Sequence, residues 1–266
     1  MPLAVCATPI GNLEDVTLRV LAELRETDVV LAEDTRHTRG LLERHGIRAE
    51  LVSLHEHNEA ARVAELVPRL AAGERMALVT DAGMPLVSDP GARLVRAALD
   101  AGVPVTVLPG ASAVETALVA SGLGGGRYAF VGFLPRKAGE LEALWRETAG
   151  WGSVVVAFES PQRLPASLRS LASFDAAREV AVCRELTKRF EEVVRGSAAE
   201  VAERFPEAPK GEITLVVAPG TAGVDVGAAL AAVGELVAAG TPRGVAAEVV
   251  ARLTGASRND LYRGTL

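Results

Sequence analysis

The stretch VTDAGMPLVSDPG, residues 79–91, is too elaborate for a plain turn. An apolar run, RMALV (75–79), leads into Thr80 and Asp81, and two glycines, two prolines and a second acid, Asp89, follow within ten residues. ARLVRAALDAG (92–102) then carries apolar residues at spacings of three and four, the pattern of an amphipathic helix. A strand that enters a helix through such a loop is half of a βαβ unit. In open α/β sheets ligands sit at this carboxyl edge.

The same alternation extends on both sides. Strands are predicted at LAVCA (3–7), VVLAE (29–33), AELVSL (49–54), MALVT (76–80) and VPVTVL (103–108), with helices such as VTLRVLAELRE (16–26) between them. Glycines 46, 73, 102 and 122 close helical patterns. A mostly parallel sheet covered by helices follows. Beyond residue 124 the pattern changes. SVVVAFES (153–160) and GEITLVVAP (211–219) read as strands. AREVAVCREL (177–186) and RFEEVVRG (189–196) lie too close for a crossover helix, so they should pair antiparallel. PGTAGVDVG (219–227) reads as a linker and the last forty residues as helix. The expected fold class is therefore α/β. It comprises an N-terminal, mostly parallel domain over 1–110, a mixed α/β domain over 111–220 and a helical C-terminal extension over 221–266.

Composition sets bounds on function. The chain has 266 residues, enough for two domains, with 49% hydrophobic and 23% charged residues, as in ordinary globular proteins. Its two cysteines, Cys6 and Cys183, lie in apolar runs, which excludes a disulfide framework and suits a reducing cytoplasm. No leader is expected before a strand that begins at residue 3, and no apolar run reaches the length of a membrane span. A net charge of −6 counts against a surface that grips nucleic acid everywhere, yet allows one local basic cleft.

Five loops gather at the carboxyl edge of the first sheet: ATPIGNLED (7–15), AEDTRHTR (32–39), LHEHNE (54–59), the opening stretch, and PGASAVET (109–116). Four are dense in glycine, proline, acids or hydroxyls, and the third is dense in histidine and acid. The dinucleotide fingerprint is absent after the first strand. GLGGGR (122–127) has Arg127 in its sixth position and precedes a strand, and no phosphate-binding G-x-x-x-x-G-K-[ST] occurs. These loops are therefore expected to bring backbone close to a ligand without polyphosphate. Asp81 is read as an acceptor for a ribose or amino group, and Asp89 before Pro90 as an ordinary helix start.

TPIGNLED, AEDTRHT, LHEHNE, DAGMPLVSDPG, LPGASA, GFLPRK, ESPQRL, CRELTK and KGE occur in this order. Together they resemble the small-subunit ribosomal RNA methyltransferases that modify a cytidine ribose 2′-oxygen, within the tetrapyrrole-methylase superfamily. The likeness covers residues 3 to about 219, and ASRNDLY (256–262) is similar to a C-terminal helical extension of many members. In one departure Met84 stands where the family usually has threonine, which removes a hydroxyl. The resemblance implies S-adenosylmethionine bound between two domains, a homodimer, and a partner in 16S rRNA of the small subunit. It implies cofactor contacts from Pro9, Ile10 and Gly11, from Asp81, Ala82, Gly83 and Met84, from Ser112 and Ala113, and from Phe158, Ile213 and Thr214.

Methyl transfer to a hydroxyl needs orientation, exclusion of water and a place for the proton. Glu33, Asp34, His55, Glu185 and Lys188 are unranked candidates for that last task, and Asp34 and Thr35 read equally well as a helix start. RNA contacts are expected from Arg36, His37, Arg163 and Lys188, with Arg39, Arg136, Lys137, Arg184 and Arg189 nearby in motif loops. His55 and His57 could share a strand face, but no third ligand is placed beside them, so no metal is expected. Ser257 with Asp260 reads as a capping box. Two rival readings stand beside this one: a methylase of corrin or porphyrin precursors, and a non-catalytic RNA- or nucleotide-binding protein on the same fold.

Overall fold

The computed structural model describes residues 2–124, 126–220, 226–254 and 256–265. The first sheet takes β1 (Leu3–Cys6), β2 (Val29–Ala32), β3 (Glu50–Ser53), β4 (Met76–Leu78) and β5 (Val105–Leu108) in the order β3-β2-β4-β1-β5. Every pairing in it is parallel.

Strand alternation explains how the sheet is covered. Leu3, Val5, Val29, Leu31, Met76 and Leu78 point to one face. There they meet Leu66 and Leu70 of α3 (Glu59–Ala71) and Leu94 and Ala98 of α4 (Ala92–Asp100). Ala4, Cys6, Val30, Ala32 and Ala77 point to the other. They meet Val20, Leu21 and Leu24 of α1 (Leu18–Glu26) and Leu42 of α2 (Thr35–Arg44). Strands buried on both faces read as continuous apolar runs, which is why VVLA and MAL were legible.

The second sheet takes β6 (Tyr128–Phe133), β7 (Val154–Glu159), β8 (Glu179–Arg184), β9 (Glu192–Ser197) and β10 (Ile213–Val217) in the order β6-β7-β10-β8-β9. β6 runs parallel to β7, and the other three pairings are antiparallel, including the expected β8–β9 pair. On one face Val155, Ala157, Val182 and Leu215 pack against α6 (Ala138–Ala149), α7 (Leu164–Phe174) and α8 (Ala198–Arg204). On the other, Val154, Val156, Ala181 and Val216 pack against Val114 and Ala117 of α5 (Ala113–Ser121). Arg195 of β9 donates from Nε to Ser121 O over 2.9 Å and also reaches Ala120 O, so a side chain of the sheet satisfies the last carbonyls of α5.

The chain ends in α9 (Val226–Ala238), α10 (Arg243–Thr254) and α11 (Arg258–Gly264), with a separate core of Ala229, Val233, Ala246, Ala247, Val250 and Leu261. Ser257 starts α11, accepting from Asp260 N over 3.4 Å. The linker expected at 219–227 lies largely outside the described residues, which omit 221–225. Among the described residues no helix is long and apolar enough to cross a membrane.

Trp145 is the largest side chain wholly enclosed in the second sheet's core, and its Nε1 donates to Ser170 Oγ over 3.2 Å. Trp145→Ala should cost about 3–5 kcal/mol and leave the half-buried Ser170 hydroxyl without this donor. Guanidinium unfolding followed by circular dichroism should show a lower midpoint; an unchanged curve would mean that this core is not packed as described.

Candidate active site

One cavity of about 410 Å³ opens between the two sheets, within the usual size range for small-molecule sites. Its floor is the loop after β4, held by a clamp from the loop after β1. Thr8 N donates to Gly83 O over 2.8 Å, and Gly83 N returns a bond to Thr8 O over 3.1 Å. The buried Thr8 hydroxyl donates to Thr80 O over 2.9 Å. Gly83 itself sits at φ +84°, a region open to glycine and costly for other residues.

All the residues expected at a cofactor line this cavity except Pro9 and Gly11. Pro9 meets His37 in a separate hollow of about 20 Å³ on the far side of Asp81. Gly11 lies under the Lys188 side chain, and a Cβ there would run into the lysine's carbons. The lining also takes in motif residues with no expected ligand contact: Val87, Ser88, Phe133, Glu159 and Glu212, and Asp89, expected as a helix start. Glu159 and Glu212 could have been read from their places at a strand end and in KGE. Phe133 could not, because a bulge between Phe130 and Phe133 shifts its register. It stacks edge-on against Phe158 with ring centroids 5.5 Å apart.

The charge of the lining is one-sided. Glu33, Asp81, Asp89, Glu159 and Glu212 contribute carboxylates, and no lysine, arginine or histidine lines the cavity. Glu159 is neutralised from behind by Arg163, and Glu212 by Lys188 at 2.9 Å. Burial raises the Glu33 carboxyl above its ordinary value, and repulsion from Asp89, Asp81 and Asp34 adds to it. Asp89 is raised too, by burial first and by Asp81, against a lowering from Thr80. Reading Asp89 as a simple helix start is corrected by its place: it lines the cavity, and the residue before α4 is Gly91, which brings no side-chain cap of its own.

The remaining candidates have partners of their own. Asp34 caps α2 by accepting from Arg36 N over 2.8 Å. The Arg36 side chain and backbone hold its carboxyl well below the carboxylate range, and its own N–H donates to Asp81 Oδ1 over 3.1 Å. Lys188 Nζ lies 2.9 Å from both Glu185 and Glu212. Burial alone would lower this ammonium, but the two carboxylates outweigh it and its pKa is raised. Glu185 is lowered by the Glu212 N–H and then by Lys188. Arg163 donates to Leu134 O over 2.6 Å as well as to Glu159, so its guanidinium braces the end of β7. Arg36 has 89% of its side chain exposed while pairing with Asp34 at 2.7 Å, and His37 beside it is exposed too. His55 lies outside the cavity lining, its ring centroid 6.0 Å from that of His57. Among the described residues no group of three or more His, Cys, Asp or Glu is arranged to hold a metal ion.

Four residues other than glycine adopt positive φ among those described, and all flank the cavity: Leu86 (72°) and Ser88 (68°) after β4, Glu185 (53°) and Thr187 (65°) after β8. Such conformations cost roughly 1–3 kcal/mol each and gather at functional sites.

Comparison with known proteins places this arrangement. Residues 2–202 match the profile of the family described as Tetrapyrrole (Corrin/Porphyrin) Methylases. A Mesorhizobium japonicum protein named ribosomal RNA small subunit methyltransferase I is 44% identical over 271 residues, covering 99% of this chain and 91% of its own length. A Thermotoga maritima protein of the same name is 43% identical over 219 residues, covering 81% of this chain and 97% of its own. Among solved structures, diphthine synthase superposes with a TM-score of 0.63 at 17% identity, covering 81% of this chain and 89% of that one. The uroporphyrin-III-C-methyltransferase of Thermus thermophilus does so with a TM-score of 0.55 at 22% identity, covering 82% and 93%. These two likenesses are of fold.

Thr8→Val keeps the side chain's shape while removing the bond to Thr80 O. The stranded carbonyl should cost about 1–3 kcal/mol, and the amides of 80–84 should exchange faster with solvent. Unchanged exchange would show that the two backbone bonds to Gly83 hold the floor alone.

Proposed function

Because the chain belongs to the tetrapyrrole (corrin/porphyrin) methylase family, we propose that it uses S-adenosylmethionine to methylate RNA of the small ribosomal subunit, at the 2′-oxygen of a cytidine ribose. The observation that carries the cofactor is the lining: acidic, free of cations, and apolar on its flanks at Ile10, Met84, Val87 and Phe158. Such a wall attracts a sulfonium and an amino group and repels polyphosphate. Asp81, Ala82 and Gly83 would hold the group from the first sheet, and Ile213 and Thr214 from the second. Met84 offers it only backbone and apolar surface. The bound cofactor supplies a methyl group on positively charged sulfur, whose leaving group departs neutral.

The reaction leaves this chain one proton to place. Glu33 is the candidate that both faces the cavity and has its pKa raised, so its ionised form is a better base than an ordinary glutamate. Asp34, Glu185 and Lys188 are held ionised by their partners, which suits binding and positioning over proton transfer. We assign RNA contact to Arg36 and His37 in the first turn of α2, just after β2. Lys188 and Arg163 would add field from less exposed positions, and all three cations, Arg36 with Asp34 included, already share their charge with carboxylates. We also infer a homodimer acting in the cytoplasm. Exposed apolar side chains such as Leu18 (85%), Val107 (55%) and Val119 (80%) are available to a subunit contact.

Labelled methyl transfer to assembled small subunits, run beside a panel of porphyrinoids, tests the reading. Label should enter the subunits only, and should render one linkage after cytidine resistant to alkali. Label on a porphyrinoid or on a base overturns the assignment. Glu33→Gln should lower kcat by about 10²–10⁴ with cofactor KM within a few-fold. A base must be ionised, so wild-type activity should be present above the raised Glu33 pKa and be lost as pH falls through it. That acid limb should lie above the ordinary value of 4.5 and vanish in the variant. Retention of both the rate and the limb would remove Glu33 from the proton step.

A further inference from the structure

LHEHNE (54–59) is the one loop at the first sheet's edge that the proposed chemistry leaves without a task, since none of its residues lines the cavity. Its last residue, Glu59, is 6% exposed, and its carboxylate points at the start of another helix. Glu59 Oε1 accepts from Gly91 N over 3.1 Å and from Arg93 N over 2.9 Å. These are orphan donors at the N-terminus of α4, and a carboxylate there also meets the positive end of the helix dipole.

The cap has to come from outside the loop for a steric reason. Gly91, the residue before α4, sits at φ +117°, and a Cβ there would lie 2.7 Å from Leu78 Cδ2. Position 91 therefore has no room for the Ser, Asp or Asn that would ordinarily cap a helix. The nearest acid in the chain, Asp89, faces the cavity instead. Glu59 is aimed by its own turn: Asn58 Oδ1 accepts from His55 N over 2.8 Å, and Asn58 Nδ2 donates to Ser53 O over 3.1 Å. Glu59 N then donates to His55 O over 2.9 Å.

Building on the methyltransferase reading above, we propose that Glu59 is a positioning residue for the site. By capping α4 in place of Asp89 it holds Val87, Ser88 and Asp89 against the cavity, in a segment strained at Leu86 and Ser88, and leaves the Asp89 carboxylate turned inward. LHEHNE thus acts on the cofactor wall through the start of a neighbouring helix and touches neither cofactor nor RNA.

Glu59→Ala, Glu59→Asp and Glu59→Gln separate positioning from stability when compared with Ser197→Ala. That control removes the cap of α8, where Ser197 Oγ accepts from Glu200 N over 3.3 Å, on an element outside the cavity lining. Three quantities are read on the full chain: thermal midpoint, amide exchange at 86–93, and KM for S-adenosylmethionine with small subunits as acceptor. Glu59→Ala should speed exchange at 86–93 and raise KM about tenfold. Glu59→Gln, which keeps an acceptor oxygen, should stay within about threefold, and Ser197→Ala should lower the midpoint with KM unchanged. If Glu59→Ala does not fold, Glu59→Asp, one methylene short, carries the same expectation in weaker form. The proposal is overturned if exchange at 86–93 stays as in the parent, or if Glu59→Ala lowers the midpoint as Ser197→Ala does and leaves KM alone. A parent protein without methyl transfer would sink the functional reading instead, and exchange at 86–93 would still decide the role of Glu59.

Discussion

The site depends on a short antiparallel contact at the edge of a parallel sheet. Thr8 and Gly83 exchange two backbone hydrogen bonds just past the ends of β1 and β4, and the Thr8 hydroxyl takes the Thr80 carbonyl. Parallel strands normally diverge into their helices at this point, exposing carbonyls that must find water or a partner. Here the loops close on each other before diverging. Ile10 is thereby laid over Gly83, Asp81 is turned toward the N–H of Asp34, and Gly11 is brought beneath Lys188. A threonine whose side chain meets no ligand thus sets where several ligand-facing residues stand.

The strained residues follow from the same closure. A loop that must pave a floor and then enter α4 within ten residues turns too sharply for ordinary φ values. Leu86 and Ser88 accept positive φ, and Gly91 accepts one that few side chains tolerate. Strain of this kind persists only where the surroundings over-determine it. The surroundings here are Leu78 below Gly91 and the Glu59 carboxylate across its N–H. Opposite, Glu185 and Thr187 do the same for the second sheet. Gly211 lies so close to Glu185 that a Cβ would collide with it, and Lys188 joins that carboxylate to Glu212.

Much of this was legible before any coordinates. Continuous apolar runs announced the buried parallel strands, short spacing announced the β8–β9 hairpin, and eight of the nine ordered motifs, all but LHEHNE, supply residues of the cavity lining. What stayed hidden was partnership at a distance. Glu159 lies only four residues before Arg163, but the Leu134 carbonyl that fixes Arg163 as a brace is 29 residues away. Lys188 read as a free cation for the same reason: one of its carboxylates, Glu212, lies on the far side of β9 and α8. Asp89 read as a helix cap because Asp-Pro usually starts a helix, and the competing cap, Glu59, is 32 residues upstream of the Gly91 N–H it accepts from. The five proton candidates could not be ranked from sequence because what separates them, a place in the cavity lining and the charged groups nearby, is set by the tertiary fold.

The two sheets have separate cores, and the seam between them is thin. Among the described residues Ile10 is the one buried residue from before β5 in the second sheet's α5-side core, and Lys188 on Gly11, Gly132 close to Ser88, and Thr187 accepting from Asn12 N at 3.1 Å add to the fastening. Mass action gives such a joint a particular thermal behaviour. With a hydrophobic core of its own in each half, a calorimetric scan of the free chain should resolve two transitions. A ligand in the cavity touches both halves and binds only when both are folded. At about a hundred times its Kd it would add roughly 2.7 kcal/mol that neither half keeps if the other unfolds. Saturation should therefore merge the transitions into one, so that the small molecule supplies the cooperativity that the protein's own seam lacks.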